Sequence, residues 1–213
     1  MSITHASGLA RQVNCAIVSG TFYFSLLAMA ALAAIAFHHP DATTAVSAVV
    51  YGACLVACSL CSYMYTIRIH PESRRIWRHL DHAAIFLLIA GTYTPFALTI
   101  IGPFGIPLVY SIWVFALAGL TLRLIIRRGY ERLFIGLYLI VGWLFVTAIT
   151  DVIRNIDHLP LMLLAAGAAA YSVGAVIFAR DIGRWTDPIW HSFVFIGSYL
   201  HFLAVLDMAL TAA

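Results

Sequence analysis

No charged residue occurs between Asp41 and Arg68, although this stretch is long enough to form a complete transmembrane helix. A helix needs about 20 apolar residues to cross a bilayer, because each residue adds about 1.5 Å toward a hydrocarbon core of about 30 Å. An isolated strand could not cross in the same way, since its backbone groups would have no hydrogen-bond partners in lipid. The stretch therefore predicts a transmembrane α-helix.

Six other segments are of similar length and hydropathy, which predicts an all-α integral membrane protein with seven transmembrane helices. The composition agrees, because 63% of the 213 residues are hydrophobic and 10% are charged, whereas about a quarter are charged in a soluble domain. No polar stretch is long enough for a separate soluble domain, so we expect residues 1–213 to form one membrane domain. The predicted spans are residues 15–37, 43–66, 82–101, 105–126, 133–150, 159–179 and 188–208.

The arginines predict how the helices are oriented. All twelve basic residues are arginine, and all but Arg154 fall before the first predicted span or around the loops after the second, fourth and sixth spans. Basic residues are enriched on the cytoplasmic side of membrane proteins. We therefore expect a cytoplasmic N-terminus and, after seven crossings, a C-terminus outside. The cytoplasmic set is Arg11, Arg68, Arg74, Arg75, Arg78, Arg123, Arg127, Arg128, Arg132, Arg180 and Arg184.

Two common features of other protein classes are not predicted. Nucleic-acid binding needs a basic stripe on a folded face, and these arginines are predicted in short loops, so no nucleic-acid partner is expected. The four cysteines all fall within apolar segments, which excludes a disulfide framework in the loops. The expected partners are membrane lipids, and the oligomeric state is left open.

Polar residues at the predicted membrane boundary are the candidates for a functional site, because burying them is costly. Asp187 and His191 are four residues apart and share one face of the predicted seventh helix. With Asp81, at the start of the third span, they could coordinate a divalent ion.

A structural interpretation of the same residues is also open. Asp187 precedes Pro188, which is the pattern of an N-cap followed by a proline at the first helical position. Asp81 would favour the dipole at the start of its helix. His191 would then form a hydrogen bond with a neighbouring helix.

Further motifs occur in order along the chain: VYG at 50–52, Ser62 with Tyr65, LDHAAIFLLIAGTYTPF at 80–96, YLIVGW at 138–143, AYSVGAV at 170–176 and IWHSFVFIGSYLHF at 189–202. With these motifs the sequence resembles the hemolysin III family, part of the wider progestin and adipoQ receptor superfamily. The resemblance extends over nearly the whole chain. It implies a seven-helix fold with a cytoplasmic N-terminus, in a multi-pass protein of the bacterial inner (plasma) membrane.

The resemblance also implies a metal site near the cytoplasmic ends of helices two, three and seven. In the superfamily a histidine follows a Ser-x-x-Tyr pattern, an aspartate opens helix three, and a His-x-x-x-His pair opens helix seven. Ser62, Asp81 and His191 match this pattern, whereas Thr66 and Asp187 stand where histidines are expected. A threonine hydroxyl is a poor zinc ligand. The predicted ligands of a weakened zinc site are therefore Asp81, Asp187 and His191.

Three functions are open at this point. A metal-dependent hydrolase of a lipid amide or ester, of the ceramidase type, would activate a water on the metal. Asp81 would orient that water or act as the base, and Ser62 would stabilise the oxyanion. A non-catalytic regulator of membrane lipid composition or energetics would instead use the arginines to hold anionic lipids. A pore-forming cytolysin is disfavoured, because so apolar a chain has no soluble form from which to insert.

Overall fold

The computed structural model describes residues 2–99, 105–126 and 130–211, without the side chains of residues 2–7, 145, 148 and 149. These ranges contain eight α-helices, two short 3-10 helices at Leu144–Ala148 and Gly183–Trp185, and no strand. The all-α fold class is confirmed. The α-helices are α1 (Ser2–His38), α2 (Ala42–Ile67), α3 (Pro71–Leu98), α4 (Gly105–Ile125), α5 (Glu131–Gly142), α6 (Ile149–Asn155), α7 (His158–Arg180) and α8 (Thr186–Thr211).

Six of the described helices are long and apolar enough to cross a membrane, namely α1, α2, α3, α4, α7 and α8. Large apolar side chains on their outer surfaces are exposed, among them Leu27 at 73% and Tyr110 at 70%. Extensive apolar surface of this kind marks contact with lipid or with another protein. Together with the hydropathy of the helices, it identifies a multi-pass membrane protein. The predicted end of the third span, at residues 100–101, lies outside the described residues.

The helices pack as neighbours along the chain. α1 packs against α2, α2 against α3 and α3 against α4, while α8 packs against both α7 and α1. Leu32, Tyr51 and Val205 are buried between α1, α2 and α8. At Gly91 the backbone of α3 lies so close to α2 that a Cβ atom would come within 2.5 Å of the Cβ of Cys54. Small residues permit this close approach of helices in membranes.

The predicted fifth span, residues 133–150, is not a continuous helix. α5 ends at Gly142, and the 3-10 helix Leu144–Ala148 follows. The hydroxyl of Tyr93 on α3 donates a hydrogen bond of 2.9 Å to the carbonyl of Gly142, and such an insertion interrupts a helical ladder. The 12 residues of α5 rise only about 18 Å, which is too short to cross a bilayer. The count of seven spans is therefore not confirmed.

The start of α2 is defined by a side-chain cap in the loop after α1. Asp41 accepts hydrogen bonds from the backbone N–H groups of Thr43 at 3.3 Å and Thr44 at 2.7 Å. It also accepts one from the Thr44 hydroxyl at 2.7 Å, which is the main reason that the pKa of the Asp41 carboxyl lies below its usual value. The cap satisfies donors at the helix start that have no partner within the helix.

Candidate functional site

Two of the predicted site residues, Ser62 and Asp81, are in direct contact. The Ser62 hydroxyl on α2 donates a hydrogen bond to Oδ1 of Asp81 on α3, and both side chains are buried. Asp81 does not open its helix as the hydropathy predicts, because α3 begins at Pro71 with Glu72 in its first turn. The influence of the helix dipole fades within one turn, so the dipole does not act on Asp81, whose carboxyl group is instead hydrogen-bonded by Ser62.

His191 is held by a residue of the first helix. Nδ1 of His191 lies 2.7 Å from Oδ1 of Asn14, and an amide oxygen can only accept, so the imidazole nitrogen is the donor. The other ring nitrogen, Nε2, is buried and has no hydrogen-bond partner among the described residues. A neutral imidazole with its hydrogen on Nδ1 leaves Nε2 as an acceptor, a base or a metal ligand.

Asp81, Asp187 and His191 line one cavity of about 30 Å³, which we call the polar cavity. It lies at the arginine-rich end of the bundle, the end that holds the starts of α1, α3, α5 and α8. Arg78 and Glu131 also line it, and they form an ion pair of 2.7 Å between α3 and α5. A polar cavity larger than about 15 Å³ has room for a water molecule, so a small polar group can enter this one.

Arg123 is a further charged residue in the wall of the polar cavity. It lies in the last turn of α4, near the end of the predicted fourth span, and is 2% exposed. Its guanidinium carbon lies 5.0 Å from the ring centre of Phe134, and its Nη1 donates to the carbonyl of Ile126 at 3.1 Å. Contact with an aromatic ring and a carbonyl oxygen stabilises a buried guanidinium. The polar cavity therefore contains a fixed positive charge beside its carboxylates.

A second cavity of about 100 Å³, which we call the apolar cavity, adjoins the polar one. Aliphatic and aromatic side chains of α3, α5, α7 and α8 form most of its wall. The two cavities share four lining residues, which are Ile85, Tyr138, Ala175 and Trp190. A charged compartment at one end of the bundle therefore meets an apolar compartment inside it.

The two positions that depart from the pattern implied by the resemblance, Asp187 and Thr66, share one cavity, and Asp187 also lines a second. Asp187 lies in the wall of the polar cavity. It is not the N-cap that the Asp-Pro pattern suggests, because α8 already begins at Thr186. Thr66 does not line the polar cavity but lines another one, bounded by α1, α2, α3 and the start of α8, which Asp187 also lines. Its hydroxyl is buried and has no hydrogen-bond partner among the described residues.

The fit of a zinc ion to these residues is incomplete. The unpartnered Nε2 of His191 suits a metal ligand. However, the described part of the chain contains no group of three or more His, Cys, Asp or Glu side chains placed to hold a metal ion, and zinc ligands must lie about 2.0–2.3 Å from the ion. Zinc binding by Asp81, Asp187 and His191 stays a prediction, as do catalytic roles for Ser62 and Asp81.

Asn14 and Tyr138 belong to the site although the sequence analysis assigned them no role. The predicted first span begins at residue 15, which left Asn14 outside it, whereas α1 begins at Ser2. The signal that could have identified Asn14 is a polar amide side chain at the edge of an apolar run. Tyr138 lies in the YLIVGW motif, and its hydroxyl donates to the backbone carbonyl of His82 at 2.8 Å. This bond ties α5 to α3 beside the polar cavity.

The fold and the cavities define a multi-pass α-helical membrane protein with charged side chains buried near one end of its bundle. The model of the haemolysin-III related family matches residues 12–202. The chain is 36% identical to Hemolysin-3 of Bacillus cereus over 193 residues, which are 89% of this chain and 88% of the relative. It is 32% identical to the Hemolysin-3 homolog of Bacillus subtilis (strain 168) over 183 residues, 85% of this chain and 86% of the relative. The chain therefore belongs to the haemolysin-III related family.

Proposed function

We propose that this protein binds a membrane lipid within its bundle and acts in membrane lipid homeostasis. The observation that supports the proposal is the junction of the two cavities at Ile85, Tyr138, Ala175 and Trp190. A membrane lipid has the same two parts, a polar headgroup and a hydrocarbon chain. The headgroup would lie among the charged groups of the polar cavity, and the chain would extend into the apolar cavity.

The polar cavity would supply the selectivity of binding. A hydrocarbon chain gains little on leaving the bilayer for a protein cavity, because both surroundings are apolar. Hydrogen bonds and charges are stronger where water is scarce, and unpaired ones are costly there. The wall combines cationic Arg78 and Arg123 with the carboxyl groups of Asp81, Asp187 and Glu131. This mixture suits a headgroup that is dipolar or rich in hydrogen-bonding groups more than one with a single strong charge.

Closing the junction between the cavities tests lipid binding directly. Ala175 is 5% exposed and lines both cavities, so Ala175→Phe would fill the junction. Ala169→Phe, at an exposed position of the same helix α7, is the matched control. We expect native mass spectrometry to show one lipid retained per wild-type chain and per control chain, and loss of that lipid from Ala175→Phe. Wild-type protein without retained lipid, or full retention in Ala175→Phe, would contradict the proposal.

The physiological part of the proposal needs a cellular test. A strain that lacks the protein should show an altered fatty-acid profile and altered membrane fluidity, restored by wild type and by Ala169→Phe but not by Ala175→Phe. If both variants restored the fatty-acid profile and fluidity equally, the cellular role would not depend on the cavities. An unchanged lipid profile in the deletion strain would refute a role in lipid homeostasis.

A lipid amide or ester hydrolase is the second candidate, and the Ser62–Asp81 hydrogen bond beside the unpartnered Nε2 of His191 favours it. A zinc ion, if bound, would polarise the scissile carbonyl or its attacking water. Nε2 of His191 would then hold the zinc ion, and the carboxyl group of Asp81 would orient the attacking water or accept its proton. Metal content by mass spectrometry should then approach one ion per chain and fall in His191→Ala. Asp81→Asn should lose hydrolysis of a ceramide or an acyl ester, and protein with neither metal nor hydrolysis would exclude this candidate.

A further inference from the structure

A third cavity, of about 160 Å³, lies at the arginine-rich end of the bundle and is bounded by α1, α2, α3 and the start of α8. We call it the arginine cavity, because Arg11, Arg74 and Arg184 all line it. These arginines come from three distant parts of the chain, so the fold brings their charges together. Within the described ranges, none of the three forms an ion pair with a carboxylate within 4.0 Å.

Thr66 gives an independent indication that this cavity receives a ligand. The residue lies in the last turn of α2 and also lines the cavity. Its side chain is only 6% exposed, and its hydroxyl has no hydrogen-bond partner in the described structure. A buried polar group without a partner costs free energy, so nearly all such groups are paired in the functional state. Thr66 therefore has a donor available for a group that enters the cavity.

Two neighbouring residues complete the donor set. Asn14 is 7% exposed and lines the cavity. Because its Oδ1 accepts the hydrogen bond from His191, its amide N–H groups are left as donors. The guanidinium carbon of Arg74 lies 5.1 Å from the ring centre of Tyr65, a cation–π contact that restricts where Arg74 can point.

We propose that the arginine cavity binds a phosphate group. Guanidinium groups recognise phosphate oxygens through paired hydrogen bonds, and hydroxyl and amide donors suit the remaining oxygens. Asp187 is the one carboxylate among the described residues that line this cavity, against three arginines, so the lining is net positive. The three arginines together would attract the anion. The phosphate is that of a phospholipid headgroup at the bilayer surface or of a soluble phosphate compound.

This binding site is distinct from the one proposed for the lipid inside the bundle. Tyr65 and Asp187 line both the arginine cavity and the polar cavity, whereas Arg11, Thr66 and Arg184 line the arginine cavity and not the polar one. Thr66 occupies the position where the superfamily pattern expects a histidine. In this chain that position contributes a hydroxyl to an anion site in place of an imidazole.

The test uses full-length protein in lipid nanodiscs. In discs of phosphatidylcholine alone, inorganic phosphate is titrated and its binding followed by 31P NMR. In a second arm, discs that also contain phosphatidylglycerol are used, and native mass spectrometry records the lipid retained on the protein. Phosphate binding in the first arm identifies a soluble phosphate as ligand. Enrichment of phosphatidylglycerol without phosphate binding identifies a lipid headgroup.

Four variants show whether the binding depends on this cavity. Arg184→Gln and Thr66→Val should each weaken binding about ten-fold, because a hydrogen bond to a charged group contributes about that factor. Thr66→Ser should restore binding, which separates loss of the hydroxyl from misfolding. Arg132→Gln, an exposed arginine at the start of α5 outside the cavity, should bind like wild type.

Two results would overturn the proposal. One is wild-type protein that neither binds phosphate nor enriches phosphatidylglycerol. The other is an equal loss of binding in Arg184→Gln and Arg132→Gln, which would indicate attraction to the arginine-rich end as a whole. Retention of the internal lipid in Arg184→Gln is measured in the same spectra, so failure of this site is distinguishable from failure of the proposed lipid-binding function.

Discussion

The hydrogen bond between Asn14 and His191 allows a quantitative test of how the first and last helices are held together. The two side chains are 7% and 4% exposed, and their bond measures 2.7 Å. Asn14→Leu removes the acceptor and leaves an imidazole N–H buried without a partner. Hydrogen bonds in membrane proteins contribute about 0.6 kcal/mol on average and about 1.7 kcal/mol at most, whereas an unpaired buried donor costs about 1–3 kcal/mol. Because both side chains are buried, the cost of the unpaired donor should dominate.

The assay is reversible unfolding in mixed detergent micelles, applied to a double-mutant cycle. Asn14→Leu should lower the free energy of unfolding by about 1–3 kcal/mol. The double variant Asn14→Leu/His191→Leu should lose less than the sum of the single changes, because removing both partners leaves no donor unpaired. Thr21→Val is the matched control on α1, since the Thr21 hydroxyl bonds the carbonyl of Ile17 one turn back. An Asn14→Leu variant as stable as this control, or strictly additive effects in the cycle, would refute the reasoning.

Two further predictions concern the stability of the bundle. Gly91→Ala should lower the free energy of unfolding by about 1–3 kcal/mol, because the new Cβ would lie 2.5 Å from the Cβ of Cys54. Gly136→Ala is the control, since a Cβ at Gly136 would have no atom within 4 Å and should cause no such clash. Asp41→Asn should keep the cap of α2 but lose its acid sensitivity. The pKa of Asp41 is lowered in the folded protein, so its carboxylate stabilises the fold at pH values above the unfolded pKa of about 3.9. This stabilisation disappears as the pH falls through the folded pKa. Thermal unfolding between pH 6 and pH 3 should therefore show a steeper loss for wild type, and identical curves would contradict the assignment.

Six membrane helices could be predicted from the sequence because lipid imposes one simple requirement, a long apolar run. Their boundaries were less predictable, since hydropathy reports contact with lipid and not helical conformation. α3 shows the difference, because it begins at Pro71 while its apolar stretch was predicted to begin at residue 82. The helix continues through the charged residues before Asp81, and that carboxylate is therefore inside the helix and not at its start.

The fifth predicted span and part of the site depended on contacts that no local pattern contains. The hydroxyl of Tyr93 meets the carbonyl of Gly142 across 49 positions of sequence, and hydropathy averaged over a window cannot detect such a bond. Ser62 and Asp81 could be proposed as a pair because they lie in recognisable motifs. The contact of Asn14 with His191 depends on α1 packing against α8, which became visible only with the fold.

The interruption after Gly142 also has a consequence for how the molecule moves. The 3-10 helix that follows has poorer hydrogen-bond geometry than an α-helix, and segments of this kind open locally at a lower free energy than whole helices. Trp143, at the interruption, lines the apolar cavity and is 41% exposed. Local opening here would connect the cavity sideways to the surrounding bilayer. The lipid that we propose for this cavity would then exchange while α1, α2 and α8 stay packed, at a rate set by this short segment and not by the stability of the bundle.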